Sequence, residues 1–209
     1  MSEVPPNRWE QQNTGSVSRY AEVFEDLIAR EEDIDGEARL ADVLAPRRAR
    51  ILDAGAGIGR VAAALLARGH HVTAVEKDPD LLARSQRLFP DVATVRADIL
   101  ELTPSFLQAR GCPASYDVIV VVGNVMVYLA DHTETRALEM LAGLLAPEGR
   151  VLVGFNPVKG PPSSRDYAVA DFEAHVEAAG LVVQHEFGGY DLAPVRPDYL
   201  VAVLGRADR

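Results

Sequence analysis

The chain has 209 residues, 48% apolar and 25% charged, with one cysteine and a formal net charge of −10. This composition suits one α/β domain and excludes a mostly disordered chain, and no apolar run approaches the roughly 18 residues a bilayer span needs. Lone Cys112 excludes an intrachain disulfide and a cysteine-rich metal site. The acidic balance repels phosphate backbones and anionic membranes, so neither is expected as a partner.

The first ~15 residues are polar, with Pro5, Pro6 and Gly15, and read as a loose arm carrying the sole tryptophan, Trp9. They lack a basic start followed by an apolar stretch, so a cytoplasmic location is expected. Val17, Tyr20, Ala21, Phe24, Leu27 and Ile28 then recur at the spacing of one helical face, with Ser16 or Thr14 as a cap. A shorter helix follows Gly36, with Leu40, Val43 and Leu44 facing inward, and stops before Pro46.

From residue 50 the pattern alternates between strands and helices. Ile51-Leu52 opens a strand, and an Ala- and Leu-rich helix over 58–68 ends at Gly69. Strands are expected at 72–75 and 92–95, separated by a helix that Pro79 starts. Val118 to Val122 is apolar throughout, which predicts a strand buried on both faces of a parallel sheet. A helix over 133–145, a turn at Pro147-Glu148-Gly149 and a strand at 150–155 follow. Residues 156–167 form a long Pro- and Ser-containing connection, then come a helix at 169–179 and strands at 181–187 and 199–204. About ten residues separate the last two strands, too few for a parallel crossover, so the last strand should run antiparallel. The expected fold class is α/β: a doubly wound, mostly parallel seven-stranded sheet with an antiparallel last strand and an N-terminal helical cap.

The informative segment is Asp53-Ala54-Gly55-Ala56-Gly57-Ile58-Gly59-Arg60, a strand feeding a glycine turn that feeds a helix. Glycines let the main chain approach a ligand, and the helix start presents free N–H groups. The spacing Gly-x-Gly-x-Gly departs from the dinucleotide fingerprint Gly-x-Gly-x-x-Gly, and position 60 is arginine. This counts against an NAD-dependent oxidoreductase. Glu76 ends the second strand.

This pattern resembles the class I S-adenosylmethionine-dependent methyltransferases. Val75-Glu76-Lys77-Asp78-Pro79, Arg96-Ala97-Asp98-Ile99, Tyr116-Asp117-Val118-Ile119, Leu145 to Val151 and Ala179-Gly180-Leu181 resemble the family's later motifs, in order, over about residues 50–205. The resemblance implies an S-adenosylmethionine site. Gly55, Ala56, Gly57 and Gly59 would form the turn, Asp53 would face the methionine ammonium, and Glu76 the ribose. Asp98 and Ile99 would meet the adenine, with the Lys77 stem over it. Gly123 and Asn124, ending the fourth strand, would line the methionine moiety and the transferable methyl. Arg60 is a candidate for the cofactor carboxylate or for an acid on the N-terminal helices. Tyr20 is a candidate contact from a helical lid. Residues 1–45 then read as arm and cap, and 46–209 as the cofactor-binding methyltransferase domain.

The expected reaction is methyl transfer to a small-molecule acceptor. A non-catalytic cofactor-binding protein stays open because no obligatory base is identifiable. His132 has the right titration range for a base, although Asp131-His132-Thr133-Glu134 also reads as a capping box. The five scattered histidines have no metal-ligand spacing, so no metal is expected. Loops 156–167 and 188–197, with Asp191 and Arg196, are expected to shape the acceptor pocket.

Overall fold

The computed structural model describes residues 4–11 and 14–207, without side-chain detail at 14–18. The expected cap at Ser16 or Thr14 and the inward Val17 lie outside the described side chains. Seven strands form one sheet: β1 (Arg50–Ala54), β2 (His71–Glu76), β3 (Ala93–Arg96), β4 (Tyr116–Val121), β5 (Leu145–Phe155), β6 (Leu181–Phe187) and β7 (Leu200–Arg206). Their order is β3-β2-β1-β4-β5-β7-β6. β7 runs antiparallel to both β5 and β6, and the other pairings are parallel. The short 188–199 connection accounts for that reversal.

Side chains alternate between two cores, as the pleat requires. Leu52, Ile119, Val121, Val151 and Val153 face one side, under α7 (Glu134–Leu144) and α8 (Val169–Ala178). Ile51, Val118, Val120 and Leu152 face the other, under α2 (Gly36–Leu44) and α3 (Arg60–Ala67). Residues 118–121 are completely buried, because β4 lies mid-sheet with helices on both faces. Helix α1 (Thr14–Ala29) joins α4 (Pro79–Leu88) through a third, smaller core of Ala21, Ile58 and Leu81, with Tyr20, Phe24 and Trp9 against it.

Several expectations need correction. Val43 is 79% exposed; Ala38, Leu40 and Ala41 form the inward stripe of α2 instead. Three short helical elements escape the periodicity reading: a 3-10 turn at Ile99–Glu101, α5 (Pro104–Gln108) and α6 (Val125–Tyr128). None is long enough to show a 3.6-residue period. The turn at 147–149 lies inside β5 as an irregularity, where pairing jumps from Tyr116–Leu145 to Val118–Arg150. Gly149 permits it, since a Cβ there would lie 2.9 Å from the Tyr116 carbonyl oxygen.

The parallel strands β1, β2 and β4 end at one edge. Asp53 pairs in register with Ala74 and Val120, and Glu76 with Arg96. This arrangement gathers the glycine turn, Glu76, Asp98 and Asn124 around one crevice, where the chain leaves β1 in one direction and β4 in the other.

Candidate functional site

A cavity of about 750 Å³ opens at this edge. Its wall includes Tyr20, Gly55, Gly57, Arg60, Glu76, Lys77, Asp98, Ile99, Gly123 and Asn124. Asp53, Ala56 and Gly59 are not part of the wall. The turn is closed by two bonds to one carbonyl: Gly55 N and Ala56 N both donate to Val75 O at 2.9 Å. The three glycines adopt positive φ for different ends. Gly55 lies against Val125, and a Cβ there would reach 2.6 Å from it. Gly57 faces the Tyr20 hydroxyl, and Gly59 sits on Ser85 of α4, where a Cβ would collide with the Ser85 hydroxyl. Gly59 is therefore a packing glycine, and Gly57 borders open cavity.

Two buried carboxylates stand at the ends of β2 and β1: Glu76, in the cavity wall, and Asp53, which is not part of it. Glu76 accepts from Gly57 N through Oε2 and from Asp78 N through Oε1, each at 2.8 Å. Burial raises its pKa, and those two N–H groups oppose the rise. The Lys77 N–H acts in the same direction. Asp53 is almost completely buried, and its Oδ2 has no hydrogen-bond partner among the described residues. Burial pushes its pKa up to about 7, with the Arg60 charge and the Ala62 N–H in opposition. A buried carboxylate oxygen without a partner is uncommon, and the desolvation it suffers is what lifts the pKa of this group.

The residue after Glu76 closes one flank. Lys77 Nζ bridges Asp98 Oδ2 at 3.0 Å and Glu10 Oε2 at 2.5 Å. Asp98 also caps the 3-10 turn, accepting from Leu100 N at 2.8 Å, while Glu101 reaches back to Asp98 N. Arg60 is committed elsewhere: it forms a bidentate pair with Glu37, donates to Ile34 O and lies over the Phe24 ring. Of its two candidate partners, the acid on the N-terminal helices is the one it meets. Asn124 sits at φ 77, and its Oδ1 accepts from Asn156 N at 2.8 Å, which ties the ends of β4 and β5 together.

The described part of the N-terminal arm, residues 4–11, is tied to the rest of the chain. Trp9 Nε1 donates to Asp78 Oδ2 at 2.9 Å, and its ring stands edge-on to Tyr20 and Tyr128. Arg8 N donates to Tyr128 O, and the Arg8 guanidinium holds Asp131 with both forks. Segment 7–11 thus spans from β2 to the chain after β4, across the mouth. Tyr20 is buried enough that its pKa rises to about 12, so it stands in the cavity as a neutral phenol.

His132 is not in this cavity. It sits at φ 64 on a separate shallow hollow with Glu134, Arg165 and His175, which removes it as the base for chemistry at the glycine turn. The capping box is absent too: the Thr133 hydroxyl donates to Ala130 O, Asp131 pairs with Arg8, and Glu134 pairs with Arg165. From loop 156–167, Pro161 reaches the cavity; loop 188–197 contributes no wall residue. Asp191 accepts from Ala193 N, and Arg196 donates to Gly188 O, so both knit their own loop together. Sequence reasoning missed Glu10, Glu37, Tyr128 and Tyr199 as wall residues. Glu10, Glu37 and Tyr199 arrive from elements far away in the chain, and Tyr128 ends a four-residue helix too short to show which way it faces.

A family model described as a methyltransferase domain matches residues 51–149. The solved structure of a TehB-like SAM-dependent methyltransferase from Corynebacterium glutamicum is 33% identical. The match covers 93% of this chain and 100% of that one, with a TM-score of 0.79. The chain belongs to the class I S-adenosylmethionine-dependent methyltransferases. Among curated relatives, the methyltransferase is 33% identical over 156 residues to ribosomal RNA small subunit methyltransferase A of Anaeromyxobacter dehalogenans, across 69% of this chain and 52% of that protein. It spans about half the length of such relatives. A Burkholderia thailandensis 1,6-didemethyltoxoflavin-N1-methyltransferase, solved with bound S-adenosylhomocysteine, shares the fold at 23% identity and a TM-score of 0.63, with 92% and 87% of the chains covered. S-adenosylmethionine is the cofactor that defines this family. Among its described residues, no helix is long and apolar enough to cross a membrane. Nor are three or more His, Cys, Asp or Glu side chains grouped to hold a metal.

Proposed function

We propose that this methyltransferase acts on a small-molecule acceptor, in the cytoplasm, with residues 1–45 as a cap on a 46–209 cofactor domain. The observation that carries the reading is the chemistry of the cavity wall. It holds Glu10, Glu37, Glu76, Asp78, Asp98 and Glu101 against Arg60, Lys77 and Arg96, and the chain's own segment 7–11 spans its mouth. A phosphate backbone would approach an acidic, partly covered opening, whereas a small neutral or cationic molecule would not be repelled.

In this reading Glu76 accepts the ribose hydroxyls. Asp53 takes the cofactor ammonium, which supplies the cation its orphaned oxygen lacks. The Gly55–Gly57 turn leaves room for close approach, and Tyr20 covers it. Ile99 and Asp98 border the adenine, with the Lys77 stem alongside. Gly123 and Asn124 border the methyl. When bound, S-adenosylmethionine supplies an electrophilic methyl on a good leaving group, so the chain's main tasks are alignment and exclusion of water. His132 takes no part.

The test is transfer of labelled methyl from S-adenosylmethionine to a panel of small oxygen, nitrogen and sulfur nucleophiles, alongside 16S ribosomal RNA. Label in the small-molecule fraction is expected. Label only in RNA would overturn the reading and favour the activity named for the ribosomal RNA relatives.

A further inference from the structure

Two tyrosines of the connection between β6 and β7, packed against Gly154 near the end of β5, stand outside every sequence motif. Tyr190 Oη and Tyr199 Oη are 3.0 Å apart, and Tyr199 lines the cavity while Tyr190 does not. Room for them comes from Gly154. A side chain there would collide with the Tyr190 hydroxyl and come within 3.1 Å of the Tyr199 hydroxyl. Their position is braced by the two asparagines: Asn124 holds Asn156 N, and Asn156 Nδ2 donates to Asp198 O at 2.6 Å, one residue before Tyr199. The phenol pair is thereby fixed next to the Gly123–Asn124 wall.

Counting protons gives the pair a direction. Two hydroxyls share one hydrogen bond, so one proton is left over. If Tyr199 donated, the Tyr190 proton would have no partner in the protein, because Tyr199 is the only described partner of that half-buried hydroxyl. A buried unsatisfied donor is costly. Tyr190 therefore donates, and the Tyr199 proton is left for another partner, on a residue that lines the cavity. Burial raises both phenol pKa values, Tyr199 to about 12, so Tyr199 is a donor rather than a base.

We propose that Tyr199, backed by Tyr190, binds the methyl acceptor by donating to an uncharged oxygen next to its nucleophilic atom. The acceptor class is then a neutral small nucleophile with a neighbouring hydroxyl or carbonyl; the acidic wall disfavours a carboxylate. The inference rests on the small-molecule reading and deepens it.

Matched probes test it: catechol against phenol, and 2-aminobenzamide against aniline, with labelled S-adenosylmethionine. The wild-type protein should prefer the oxygen-bearing member of a pair at least 10-fold in kcat/KM. Tyr199→Phe should erase that preference while leaving S-adenosylhomocysteine affinity within 2-fold. Tyr190→Phe should reduce the preference only a few-fold, since the Tyr199 proton survives. If Tyr199→Phe folds poorly, the double variant Tyr190→Phe/Tyr199→Phe, which leaves no orphaned hydroxyl, carries the test. Equal turnover of paired probes, a preference that survives loss of Tyr199, or failure to turn over any oxygen-bearing probe overturns the inference. Label found only in ribosomal RNA would instead overturn the small-molecule reading beneath it.

Discussion

Asp53 has the most to lose or gain from a ligand, because its carboxyl is buried without a partner for Oδ2. Its folded pKa of about 7 lies above the ordinary 3.8. The native state thus holds a proton that the unfolded chain has released between those values, and stability falls as pH rises across that window. Asp53→Asn should flatten this fall and raise the melting temperature of the free protein at pH 8. It should also weaken S-adenosylhomocysteine binding at least 10-fold; thermal melts at pH 5 and 8 plus calorimetry read both effects. A variant that loses stability at pH 8 would contradict the burial argument. Glu76 is the second test. Glu76→Ala should weaken S-adenosylhomocysteine binding by ~1.5–3 kcal/mol, the scale of lost hydrogen bonds to a charged group. Unchanged affinity would remove Glu76 from the site. Gly57 and Gly59 separate by role. Gly57→Val fills the space beside the Tyr20 hydroxyl and should nearly abolish binding in a protein that still folds, as seen by circular dichroism. Gly59→Ala meets Ser85 instead and should show itself first in stability.

At the scale of elements, the N-terminal segment is held by unlike fasteners. The Arg8–Asp131 pair is largely solvated, and such pairs contribute little, about 1 kcal/mol or less. Trp9 combines a hydrogen bond to Asp78 with edge-on contacts to two tyrosines. Trp9→Ala should therefore speed S-adenosylhomocysteine dissociation about 10-fold, and Arg8→Ala no more than a few-fold, measured by displacement with labelled ligand. An equal effect of the two variants would mean that the ion pair, not the aromatic packing, holds the mouth. The same contrast explains what was readable in the chain. Gly69, Pro79 and the run 118–122 announce their elements because local conformational rules act on them directly. Helix α6 spans four residues and has no period to read. Val43 follows the helical spacing yet faces outward, because α2 turns its small residues, Ala38 and Ala41, toward the sheet.

At the scale of the molecule, the net charge of −10 and the acidic cavity wall act together. A protein that neutralises phosphates shows affinity falling linearly with log salt. This one should not retain a 16S ribosomal RNA fragment on filters at ~0.15 M salt, a concentration at which screening reaches only about 8 Å. Retention with a steep salt slope would point to a basic surface on the assembled protein and against a small-molecule acceptor.

Composition, the glycine and proline punctuation and the order of apolar runs determined the sheet and its reversed last strand, because those features follow from local backbone rules; the cofactor was implied by the resemblance of the ordered motifs to a known family. Only the tertiary structure decided the rest. It turned Arg60 to Glu37, moved His132 out of the cavity, drew Trp9 over the mouth, and brought Tyr199 beside Asn124. These are meetings between residues dozens of positions apart, and such pairings depend on how packed elements cross, which no local spacing encodes.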